Sequence, residues 1–167
     1  MNTASQPVAA SALPKATPYR SKTLATWAAF LGGPVGLHRF YLYGLGDLWG
    51  WLHLVPTLLG GWGLRRVQEL GQDDQLSWLL IPILGFLVAG TMLQAIVYGL
   101  MPDEKWHARF NASRAASGES LPASGWGAVI GVALSLMVGA TVLMSTIAFS
   151  GQRYFEYQVE EARKISQ

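Results

Sequence analysis

The sequence predicts an all-α integral membrane protein with about four transmembrane helices, the first two forming an amino-terminal helical hairpin. Three observations carry that prediction. Apolar residues make up 51% of the chain and come in long blocks instead of amphipathic patterns. Charged residues are only 13%, against roughly 25% in a soluble domain. Tryptophans mark the block edges: Trp49 and Trp51 open the second, Trp62 closes it, and Trp78 and Trp126 begin the third and fourth. An indole at each boundary is the placement expected at headgroup level.

Taken in order, residues 1–22 are rich in Ala, Ser, Pro and Thr and close with Lys15, Arg20 and Lys22. They hold too little apolar surface to fold and predict a disordered cytoplasmic tail. No apolar run of signal-peptide length precedes Lys15, so a cleaved leader is not expected. The first span starts at Thr23. It reaches Tyr43 if it continues through the His38-Arg39 pair and ends at Leu37 if it stops there, with a kink at Pro34. The second span is Leu48–Leu64, which completes a hairpin domain over 23–67. A polar turn with Arg65, Arg66, Glu69, Asp73 and Asp74 leads into the third span, Trp78–Met101, within the unit 68–101.

Residues 102–125 predict a short surface helix and a flexible loop. Pro102 with Asp103 and Glu104 is a helix-opening signal, and Trp106 and Phe110 share one face that would lie on the membrane. The fourth span is 126–150, followed by a cytoplasmic tail, 151–167, carrying Tyr154, Phe155 and Tyr157. With four crossings, eight Lys and Arg fall on the side of both termini and four on the other. The expectation is therefore a multi-pass inner-membrane protein with both ends in the cytoplasm.

Composition also excludes several classes. The chain has no cysteine, which removes disulfides, zinc–thiolate sites and a cysteine nucleophile. A net charge of +2 is too small to suggest nucleic acid as a partner. No nucleophile elbow, zinc-protease pair, phosphate loop or dinucleotide fingerprint occurs, so no enzyme, catalytic residue or cofactor is predicted.

The stretch Gly36-Leu37-His38-Arg39-Phe40-Tyr41-Leu42-Tyr43-Gly44 sets a basic pair among aromatics between two apolar blocks. Together with Lys22-Thr23-Leu24-Ala25 and Phe30-Leu31-Gly32-Gly33, it resembles the TM-two domain family, also called NINE proteins. The resemblance covers about Ser21 to Val67 and rests on Gly36, His38, Arg39, Phe40, Tyr41, Leu42 and Gly44. The family more often has glycine directly after the leucine; here Tyr43 intervenes and Gly44 follows. Met101–Asn111 is similar to stretches in bacterial members. The resemblance implies a paired transmembrane hairpin, and no agreed reaction, substrate or cofactor.

Within the hairpin, Arg39 is expected to pair with Asp47, the nearest carboxylate, since membrane charges are usually paired. A metal site from His38, His53 and Asp47 matches no ligand spacing, and none is predicted. Gln94 and Tyr98 share a face of the third span and suggest an interhelical hydrogen bond. Gly127, Gly131, Ser135 and Gly139 recur every four residues along the fourth span. Such a stripe lets helices approach closely, and it serves either internal packing or a homodimer. The expected partners are the lipid bilayer and other membrane proteins or a second copy. The expected role is a non-enzymatic accessory or scaffold, with a small channel or transporter component as the alternative.

Overall fold

The helix starts follow directly from capping side chains. Ser21 Oγ accepts from the Leu24 N–H, Asp47 Oδ2 from Gly50 N–H at 2.8 Å, and Asp74 Oδ2 from Ser77 N–H at 3.1 Å. A computed structural model describes residues 18–166, which contain α-helices and no strand. The helices are α1 (Lys22–Gly32), α2 (Leu37–Tyr43), α3 (Leu48–Leu52), α4 (Leu54–Leu70), α5 (Gln75–Leu100), α6 (Asp103–Phe110), α7 (Ala112–Ala116) and α8 (Trp126–Ile165). The tail expected over 1–22 lies outside the described residues as far as position 17. Its last part, 18–22, is ordered and ends in the first turn of α1.

The first apolar segment is not one long helix. α1 has 11 residues, about 16 Å of helix, where a crossing needs about 30 Å. Gly33, Pro34 and Val35 tighten into a 3-10 turn, and Gly36 takes φ 76° and reverses the chain. Only glycine fits there, because a Cβ would also overlap the Gly50 carbonyl. α2 then runs back along α1. The Tyr41 hydroxyl accepts the Ser21 N–H at 2.8 Å, and the Arg20 guanidinium donates to the Tyr41 carbonyl. A continuous span over Thr23–Tyr43, or one to Leu37, is therefore replaced by a short hairpin folded on itself. The kink expected at Pro34 is a full reversal.

α5 is the central helix, with α1, α4 and α8 packed on it. Gly60 and Gly63 of α4 lie against Leu84 and Leu80, so α4 runs antiparallel to α5. Gly139 meets Met92 and Gly85 meets Thr146, so α8 is antiparallel to α5 as well. Gly33 at the hairpin tip faces Thr91, while Lys22 at the hairpin base reaches the Met101 carbonyl. The tip thus sits about 15 Å along α5 from its carboxyl end. α3 and α4 together continue from Asp47 past Pro34, whose carbonyl accepts from Thr57 Oγ1 at 2.6 Å, to the far end of the bundle.

The stripe on α8 faces inward. Gly127 lies against Thr23, Gly131 against Thr26 and Trp27, Gly139 against Met92, and Ser135 is fully buried. Of the two uses open to the sequence, the fold employs it for internal packing. Gly139→Leu, which would push against Met92, should therefore lower the thermal midpoint in detergent without changing the oligomeric state. Size-exclusion chromatography with light scattering, run beside the melt, checks both halves.

Two further expectations change. Trp106 does not lie on the surface: it is 0% exposed, within a core of Ala25, Ala29, Leu42, Ala95 and Tyr98. α8 does not stop near Ser150 but runs on to Ile165, 40 residues in all, with Arg153 stacked over Trp78 before the helix leaves α5. The described chain consequently begins at one end of the bundle and finishes beyond the other.

Candidate functional site

Two clusters of polar and charged groups flank the α1–α2 hairpin. The first is a clamp on the base of α1, built from the segment after α5. Lys22 Nζ reaches Asp103 Oδ1 at 2.6 Å and the Met101 carbonyl at 2.8 Å. Ser124 gives its hydroxyl and its N–H to the same carboxylate, at 2.6 and 3.0 Å. Asn111 and Trp106 take hold of the Arg20 backbone, Asn111 through both N–H and carbonyl and Trp106 through its indole N–H at 2.7 Å. Sequence reading missed this clamp because its partners lie up to 91 positions apart. The only local signal was the Pro-Asp-Glu helix start.

Burial pushes the Asp103 carboxyl up, but the hydrogen bonds from Lys22 and Ser124 outweigh it and hold it well below the usual carboxylate range. A carboxylate depressed in the folded state adds stability above its unfolded value, about 3.9, and loses it as pH falls toward the folded one. The stability difference between the native chain and Asp103→Asn should therefore be constant above about pH 5 and shrink below about pH 4. Denaturant titrations of both proteins from pH 7 to pH 2 measure it. A difference independent of pH would contradict the clamp.

The second cluster holds the sequence-predicted residues. Arg39 and Asp47 do meet, and in two-pronged fashion: Nε to Oδ2 at 2.6 Å and Nη2 to Oδ1 at 3.0 Å. Arg39 holds the Asp47 carboxyl below its ordinary range, with the Gly50 N–H adding to that effect. Asp47 is thus both ion partner and helix cap, and its oxygens are committed. Phe40 packs on Trp51, and Tyr43 lies beneath the Arg39 guanidinium. Tyr41 ties α2 to Ser21, and Leu42 fills the core. Gly44 ends α2 at φ 85°, so the residue added by Tyr43 is the last of the helix and the turn glycine follows it.

His38 is 3% exposed, and its Nδ1 has no hydrogen-bond partner. Its ring stands edge-on to that of His53, with centroids 5.4 Å apart, and lies 6.0 Å from Tyr98. His53 Nδ1 donates to the Trp49 carbonyl at 2.6 Å, not to a neighbouring helix. Tyr98 packs its ring edge-on to Trp106, and Gln94 lines a cleft beside His38. This cleft, of about 260 Å³, is lined by His38, Arg39, His53, Thr91 and Gln94 among others. The structure therefore brings His38 and His53 together and gives Asp47 to Arg39. Among the described residues, no three His, Asp or Glu side chains converge on a metal position.

Comparison with family models, curated proteins and solved structures finds no match. What the chain does must be argued from its own geometry.

Proposed function

We propose that this chain is a multi-pass membrane protein without catalytic activity, serving as an accessory or scaffold for other membrane proteins. The observation that carries the membrane reading is the exterior of α5 and α8. Each has a window of mean hydropathy 2.2, yet only 22% and 17% of the residues in those windows are buried. Leu79, Leu93, Leu136, Met137 and Met144 are all at least 60% exposed. A protein in water would not leave two such helices open, whereas acyl chains solvate them.

In this reading α3–α4, α5 and α8 cross the bilayer, and the α1–α2 hairpin enters from one side and returns to it. Backbone that reverses inside a membrane is tolerated where protein covers it, and the tip is covered by Thr57 and Thr91. The path changes the charge count. The α1 end carries Arg20, Lys22, Arg39, Lys105, Arg109 and Arg114, and the other end carries Arg65, Arg66, Arg153, Arg163 and Lys164. Six against five among the described residues sets no orientation under the positive-inside rule. The kinship with TM-two domains suggested by Gly36–Gly44 belongs to the same proposal, as does a bacterial inner membrane.

The accessory role is supported by the way the charged groups of the hairpin are spent on one another, as Arg39–Asp47 and Lys22–Asp103. With the small-residue stripe used internally, the surface left for a partner is the end of α8 past Arg153. There Tyr154, Phe155 and Ile165 are 61%, 68% and 86% exposed. Native-detergent pull-down tests the role. A membrane protein should be enriched by the native chain and lost with Phe155→Glu. A monomer with nothing enriched over that variant would contradict it.

A small channel or transporter component is the second reading, favoured by the polar cleft beside a hairpin that reverses at mid-depth. Liposome flux altered by Arg39→Ala would support it. Flux absent, or unchanged by the substitution, would remove it.

A further inference from the structure

We propose that the cleft beside Arg39 holds the phosphodiester of an acidic two-chain phospholipid, whose acyl chains lie in the apolar grooves on either side. Such a site presupposes the membrane reading and adds a ligand to the accessory role. The guanidinium comes first. Asp47 takes one edge of it, Nε and Nη2, and leaves Nη1 with no acceptor among the described residues. A planar fork with its second edge open can receive another acid, so one arginine serves two. Among the described residues, no carboxylate lines the cleft to repel an anion.

The neighbours of Arg39 suit the same head. His38 lines the cleft, buried and with Nδ1 unpartnered, so the protein leaves the hydrogen bonding of this imidazole unfinished. Gln94 adds an amide that can donate. One positive charge already shared with Asp47 favours an acid of single charge, a phosphodiester, over a doubly charged one.

The grooves say what the acid is attached to. Toward α8 the cleft shares Phe86 and Gly90 with an apolar groove of about 400 Å³, which Leu93, Leu136 and Leu143 also line. Toward α3 and α4 it shares His53 and Leu87 with a second groove of about 390 Å³, lined by Trp49, Leu52, Val55 and Pro56. One polar cleft between two apolar grooves matches one head with two chains. Depth agrees. α5 ends where Lys22 holds the Met101 carbonyl, and Tyr41 is tied to Ser21 beside it. Arg39 lies two residues further in, about 3 Å of helix, at the hydrocarbon edge where lipid phosphates are in reach. Basic pockets between membrane helices bind acidic lipid heads in this way.

Native mass spectrometry of the full-length protein in neutral detergent tests the site, with phosphatidylglycerol and phosphatidylcholine of the same chains as probes. One phosphatidylglycerol per chain is expected, with phosphatidylcholine about fivefold weaker or more. Gly90 lines both the cleft and the first groove, and a Cβ there meets nothing within 4 Å. Gly90→Phe should therefore fill the site without disturbing the packing and remove most of the binding. Gly151→Phe, equally open but farther along α8, should leave it unchanged. Arg39→Lys keeps the charge and loses the fork, and should bind phosphatidylglycerol about fivefold more weakly. Circular dichroism shows whether each variant folds, and Gly90→Phe keeps the test if Arg39→Lys does not. Equal binding of the two lipids, or undiminished binding by a folded Gly90→Phe, overturns the site. So does displacement of the lipid by inorganic phosphate or by palmitate, which would make the ligand a free anion or a one-chain acid. A chain that stays monomeric in water without detergent would instead defeat the membrane reading itself.

Discussion

Gly36→Val should strongly destabilise the tip of the α1–α2 hairpin. The left-handed backbone costs a residue with a Cβ about 1–2 kcal/mol. The added atoms would also meet the Gly50 carbonyl across the α2–α3 contact, and overpacking of that kind adds about 1–3 kcal/mol. The expected loss is therefore about 3 kcal/mol or more. Gly46→Val, in the next turn and with open space around it, should cost far less. Thermal or SDS unfolding of the pair measures the contrast, and equal stability of the two would contradict the reversal at Gly36.

Trp106→Ala should cost about 3–5 kcal/mol, the usual range for removing a fully buried large aromatic. The indole packs on Tyr98 and Phe110, and its N–H supplies the Arg20 carbonyl, which Asn111 also serves. Its loss opens a cavity and loosens the clamp on α1 at once. Hydrogen exchange should accordingly rise in α1 and α2 before it rises in α5 or α8. A uniform rise, or none, would show that the segment after α5 does not hold the hairpin.

The parts of this fold that were legible in the sequence are those written in local chemistry. Apolar length marked α5 and most of α8, and the Arg39–Asp47 pair followed from a lone cation beside the nearest carboxylate. The stripe of Gly127, Gly131, Ser135 and Gly139 was legible as a packing face, though not what packs on it. The hairpin was misread because hydropathy records composition and not direction. Thr23–Tyr43 is apolar enough to cross, yet Gly33-Pro34 and the positive φ at Gly36 turn it back halfway. The orientation count depends on the same reading, since each segment taken as a crossing moves every later charge to the other side.

Trp106 was misread for a related reason. Four-residue spacing with Phe110 describes a helix face and says nothing of what covers it, and the cover comes from α1, α2 and α5. The pairing of His38 with His53 depended on the same turn and was out of reach until the path was known. Lys22 with Asp103 joins residues 81 positions apart, and no local pattern announces it.

The central claim is the half-depth reversal of residues 22–43, and the chain is well suited to testing it because it contains no cysteine. Single cysteines at Pro18, Leu45, Gln72, Ser117 and Ser166 can be labelled with a membrane-impermeant maleimide in intact cells and in inverted vesicles. The fold predicts that Pro18→Cys, Leu45→Cys and Ser117→Cys react from one side of the membrane and that Gln72→Cys and Ser166→Cys react from the other. Labelling of Pro18→Cys and Leu45→Cys from opposite sides would mean that the first segment crosses, and would contradict the account.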